Sequence, residues 1–206
     1  GYAQRPRRTD TPLDLAHDVE DFTSEVVEES LRAELAAHGN RCQQRSRELI
    51  GVTVPETLAI VDDLKRILSP SEQRKILKRA KSNEQRLAGA AVRQEATVEL
   101  PTCPLLAASG CCLTDDSRPI QCRCGCSLCA VTAGATEEDA DRPEGAAFAA
   151  DVGAGVAEGL SDGLASAGWD GRRYELNSAL ARALELPDAA ARWSRGESVF
   201  ETCRGI

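Results

Sequence analysis

Residues 53–77 read TVPETLAIVDDLKRILSPSEQRKIL, and the same three-part signal occurs in them twice. Thr53, Pro55 and Glu56 supply a capping hydroxyl, a first-turn proline and a glutamate three residues after the cap. A glutamate so placed reaches back to the cap amide while the hydroxyl takes the glutamate's own amide, so the pattern predicts a helix start. Leu58, Val61, Leu64 and Leu68 then recur every three or four residues, the spacing of one buried helix face. Ser69, Pro70 and Glu72 repeat the signal and open a second helix through Ile76, Leu77 and Ala80 to about Arg93.

Working outward, Leu15, Val19, Phe22, Val26, Val27, Leu31 and Leu35 follow the same period, and Gly39-Asn40 supplies a stop, which predicts an N-terminal helix. Downstream, EATVELPT at 95–102 is an extended lead into a cysteine segment too rich in Gly, Ser, Asp and Pro for regular helix. TAGATEEDADRPEG at 132–145 reads as an acidic linker. The small-residue stretch at 146–168 reads as a helix in which Gly155, Gly159 and Gly163 line one face, a pattern that predicts close approach of another helix there. Its GAGVAEG is no dinucleotide loop, because it follows a linker and its third glycine falls one residue late for GxGxxG. Residues 172–186 and 187–196 read as two shorter helices, with strands nearly absent.

The chain has 206 residues, 42% hydrophobic and 28% charged, with alanine dominating the apolar set and only two Trp, two Tyr and three Phe. Such a core buries little area per residue, so a cross-link or a bound metal would add usefully to its stability. No run approaches the roughly 18 to 20 apolar residues that span a bilayer, and the first ten residues lack the apolar core of a secretory signal. A net charge of -8 opposes phosphate binding. These features predict a cytoplasmic protein with neither nucleic acid nor membrane as partner. Charge is uneven: residues 65–86 hold eight cations against Glu72 and Glu84, and residues 18–34 hold seven acids against Arg32. Such runs are solvated faces, two helices attracting one another, or a basic docking site at 65–86 for an acidic protein partner.

Seven of the nine cysteines lie in residues 103–129, CPLLAASGCCLTDDSRPIQCRCGCSLC. Nine is odd, and long helical runs are unlike loop-rich disulfide scaffolds. A thiol nucleophile needs a nearby base, and the two histidines, His17 and His38, lie far off in the N-terminal stretch. Thiolate ligation of zinc, iron or an iron-sulfur cluster is the reading that uses the clustering, because soft sulfur donors suit these metals and pin loops that could not fold alone. Cys126 and Cys129 form a CxxC pair, and Cys122, Cys124 and Cys126 alternate along the chain. Arg118 and Arg123 are candidates to donate hydrogen bonds to thiolates, or to pair with Asp115 and Asp116. Cys203 reads as a lone thiol.

The run Cys103, Pro104, Leu106, then Cys112, Arg118, Pro119, Cys122 and Arg123 resembles the YkgJ-type cysteine-cluster family of zinc- or iron-chelating proteins. The likeness extends to IGVTVPE at 50–56 and to YELNSAL, PDAAARW and GESVF towards the C-terminus, covering most of residues 42–203. The family places a C-x-x-C-C group before the GVT stretch; here it falls on Cys42, Arg45 and Ser46, so only the first cysteine remains. The resemblance implies a site of Cys42, Cys103, Cys112 and Cys122, with Cys124, Cys126 and Cys129 as replacement or second ligands. It also implies an alternative, a metal-dependent or iron-sulfur enzyme related to protein lysine N-methylation.

The expected fold is therefore mostly α: a single helical domain over 1–206 with a long irregular cysteine-rich metal-binding loop. N-terminal helices occupy 11–94, the cysteine-cluster loop 100–130, the acidic linker 131–146 and C-terminal helices 147–206. The expected function is metal binding at a cysteine-ligated site, structural or metal-handling. The polar, glycine-containing loop favours zinc over iron or an iron-sulfur cluster, which needs apolar shielding. A metal-stabilised interaction module is a further alternative.

Overall fold

The computed structural model describes residues 25, 49–93, 101–107, 112–114, 117–122 and 144–206. The helix expected over 15–35 (Glu25 apart), the lead at 95–100 and the linker at 131–143 lie outside these residues.

Helix α1 spans Val54–Ile67 and α2 spans Pro70–Arg93. Both predicted capping boxes are present. The Thr53 amide donates to Glu56 Oε2 at 2.7 Å and the Glu56 amide to Thr53 Oγ1 at 3.5 Å. The Ser69 amide and hydroxyl donate to Glu72 Oε2 at 2.9 and 2.6 Å, and the Glu72 amide returns to Ser69 Oγ at 3.4 Å. Leu68 between them is extended, with its amide closing α1 onto Leu64 O. The chain thus breaks where the second cap begins.

Helix α3 spans Glu144–Ser166, opening inside the stretch expected to be linker. It ends in a turn in which Gly168, at φ +82°, lets the Trp169 amide reach back to Leu164 O at 2.9 Å. The close helix approach expected at its glycine stripe is not found: no described atom lies within 4 Å of a Cβ built at Gly155, Gly159 or Gly163. Gly153, Ala157, Leu160 and Leu164 are the buried residues over 151–166, on the opposite side of the helix. The larger apolar area of the three side chains outweighs whatever close packing the glycine stripe offers, so the stripe faces outward.

Strand β1, Gly51–Val52, pairs antiparallel with β2, Tyr174–Glu175, in the register Gly51↔Glu175 and Val52↔Tyr174. The C-terminal residues add a third strand-like edge through Glu175 N to Arg204 O at 2.8 Å and Ile206 N to Arg173 O at 3.2 Å. Helix α4, Leu176–Glu185, follows β2 directly, and the Glu175 carboxylate caps it by accepting from the Asn177 and Ser178 amides, both at 3.0 Å. Helix α5, Ala189–Ser194, is a short last turn packed through Trp193, whose ring lies 4.8 Å from that of Trp169.

α4 packs against both α1 and α2. The core between them holds Ile60, Leu64, Leu176, Leu180, Tyr174 and Phe200, together with Leu105 and Ile120 from the cysteine segment. Full burial of an aliphatic side chain contributes about 1.5–3 kcal/mol. Two such residues anchor the segment in the helical core.

Candidate metal centre

The described part of the cysteine segment, within residues 101–122, is fastened to the helices at two places. At the first, Asn83 Nδ2 of α2 donates to Thr102 O and to Asn177 Oδ1, both at 2.8 Å, and Asn177 Nδ2 donates to Glu175 Oε1 at 2.6 Å. Beside this chain, Arg79 Nη1 donates to the carbonyls of Pro104 and Leu106 at 3.2 and 3.1 Å, clamping the turn that carries Cys103. At the second, Glu56 uses the oxygen its cap leaves over: the Ile120 amide donates to Glu56 Oε1 at 3.1 Å. Gln121, on the helical turn at 120–122, pairs its side-chain amide with the backbone beside β1. Its Oε1 accepts from the Gly51 amide at 2.8 Å and its Nε2 donates to Leu49 O at 3.3 Å. Arg173 Nη2 reaches the same Gln121 oxygen at 3.2 Å and Gly51 O at 3.3 Å.

These contacts join residues 117–122 to residues 49–56, the two stretches in which the family-like motifs stand. Sequence reading found Glu56 as a cap but missed its second partner, missed Asn83 and Gln121 altogether, and placed Arg79 only among the cations of 65–86. A lone amide or guanidinium reads as surface until its partner, 19 to 94 residues away, is known.

Cys103, Cys112 and Cys122 are each partly buried. Cys103 and Cys112 pack against the core from adjoining strands of chain, tied by the Leu106↔Cys112 bridge and by Leu113 N to Leu105 O at 2.8 Å. Cys112 Sγ lies 3.8 Å from Thr114 O and 3.7 Å from Thr114 Oγ1. Cys122 closes the turn after Arg118-Pro119, its amide donating to Pro119 O at 2.8 Å. Among the described residues no group of three or more His, Cys, Asp or Glu side chains is assembled to hold a metal ion. The donor chemistry of the three thiols suits zinc, but they do not complete a site by themselves. Cys42, Cys124, Cys126 and Cys129, like His17, His38 and Arg123, lie outside the described residues. Arg118 is buried beside Ser117, whose hydroxyl is fully buried without a hydrogen-bond partner among the described residues.

Cys203 stands apart, its Sγ donating to Ser178 O at 3.7 Å. Burial pushes this thiol up to about 11, with Glu84 adding to the effect, so it is a neutral thiol at physiological pH. Nearby, burial opposes ionisation of Asp170, but hydrogen bonds from Arg172 and Tyr174 prevail and hold its carboxyl below the usual range. Burial and Asp170 together raise Tyr174, whose hydroxyl donates to Asp170 Oδ2 at 2.5 Å. This trio braces the end of β2.

No family model, no curated protein and no solved structure matches the chain. No helix among the described residues is long and apolar enough to cross a membrane.

Proposed function

We propose that the protein binds a metal through cysteine thiolates, zinc in preference to iron or an iron-sulfur cluster, at a site shared between the Cys42 stretch and the loop of Cys103, Cys112 and Cys122, with Cys124, Cys126 and Cys129 as further donors. The observation that carries this reading is the docking of residues 117–122 on residues 49–56 through Glu56 and Gln121. That docking brings the cysteine loop against the chain that continues from Cys42, seven residues before Leu49. Four thiolates on zinc leave no open coordination position, so the metal's role is structural rather than catalytic. A compartment that keeps thiols reduced, such as the cytoplasm, suits the many thiols.

Anaerobic purification with elemental analysis and an absorption spectrum tests the reading. The expected result is colourless protein with near-stoichiometric zinc that survives replacement of His17 and His38 by Ala. A brown protein absorbing near 400 nm and containing sulfide would replace zinc by a cluster, and metal-free protein would overturn the proposal.

A further inference from the structure

Helix α2 carries Arg74 and Lys78 on the side opposite buried Ile76, Ala80 and Leu87, and Lys75 and Arg86 on the adjoining flank, all four exposed. The other cations of the 65–86 run that pair locally are accounted for: Arg66 with Asp63, Arg79 with loop carbonyls and Lys81 with Glu185. Arg74, Lys78 and Arg86 form no ion pair with a described carboxylate, and Lys75 has only the charge of solvent-exposed Glu72 beside it. From Arg74 to Arg86 the face runs about 18 Å at 1.5 Å per residue. Cations along such a face repel one another until an anionic surface covers them.

We propose that this face is the docking surface for the chain's own acidic segment at residues 18–34. Asp18, Asp21, Glu25 and Glu28 fall at steps of three and four, so in a helix they share one side, next to Glu29. Between Asp18 and Glu29 that side is about 17 Å long, the length of the basic face. Glu25, the described residue of this segment, is helical and exposed. Residues 35–48 connect the segment to Leu49 at the foot of α1. Fourteen extended residues reach up to about 50 Å, against about 21 Å for the length of α1, so the tether does not limit docking. Held in cis, the acidic segment acts at a high effective concentration, which makes it a stronger occupant than a free acidic chain of equal charge.

Zero-length carbodiimide cross-linking of the full chain, followed by peptide mass spectrometry of the monomer band, tests this. Amide links from Lys75 and Lys78 to Asp21, Glu25, Glu28 or Glu29 are expected, reduced several-fold by 0.5 M salt, which screens exposed pairs. Arg74→Glu with Arg86→Glu should reduce the Lys78 links several-fold, and adding Glu25→Arg and Glu28→Arg should restore links from Lys78 to Asp21. Absence of links to 18–34 in wild-type protein overturns the proposal. Links confined to the dimer band overturn it in favour of a second copy of the chain. The wild-type salt series decides the matter even if the charge-reversed variants fold poorly.

Discussion

Glu56 serves two partners with its two carboxylate oxygens, closing the cap of α1 through one and holding the Ile120 amide with the other. Glu72 makes the same capping box at the solvent surface and reaches no second segment of the described chain, with only the charge of Lys75 beside it. Glu56→Ala therefore removes a cap and leaves a buried amide unsatisfied, an expected loss of about 2–4 kcal/mol by urea unfolding. Glu72→Ala should cost clearly less. The Ser69 hydrogen bonds hold the Glu72 carboxyl below its ordinary value, so its contribution is present above that ordinary value and is lost as pH falls through the depressed one. The sequence showed both caps because a capping box is local. It hid the Ile120 contact because the two residues are 64 positions apart. For Cys203 the shift has the opposite sign for charge. A thiol raised to about 11 contributes stability at neutral pH that is lost as pH rises through that value. At pH 8 it should alkylate with iodoacetamide far more slowly than an exposed thiol, and Cys203→Ser should leave metal content unchanged.

At the scale of elements, the helices were legible because apolar period and caps coincide from Thr53 to Ala80. The strands were not: two-residue pairs such as Gly51–Val52 with Tyr174–Glu175 have no periodicity to read, and are set by tertiary hydrogen bonds. The glycines of α3 were misread in direction, since spacing identifies a face but not what lies against it. Two substitutions check the correction. A Cβ at Gly159 meets no described atom within 4 Å, so Gly159→Ala should stabilise by about 0.5–1 kcal/mol through helix propensity. A Cβ at Gly171 would stand 2.3 Å from the Ser161 carbonyl oxygen, a backbone atom that cannot swing away. Gly171→Ala should therefore destabilise by about 1–3 kcal/mol, and thermal unfolding of the two variants should move in opposite directions.

Across the whole molecule, α1, α2 and α4 form a frame on which the cysteine segment is held by Asn83, Arg79, Glu56 and Gln121 and by the burial of Leu105 and Ile120. Composition suggested a loop that only a metal could organise; these contacts supply order from the protein itself. Hydrogen exchange at Leu106, Leu113, Ile120 and Cys122, whose amides are bonded within the protein, should thus change little when a chelator strips bound metal. The cysteines were legible as a cluster in sequence, but the way residues 49–56 meet residues 117–122 was not, because it depends on contacts between distant residues. In the proposed site Cys42 and the 103–122 loop share one metal. Elemental analysis of anaerobically purified Cys42→Ser beside wild type separates this from a site built downstream. Near-stoichiometric zinc is expected in wild type and loss of most of it in the variant, with the helical circular dichroism retained; equal zinc in both would rule out the shared site and leave the metal to the downstream cysteines alone.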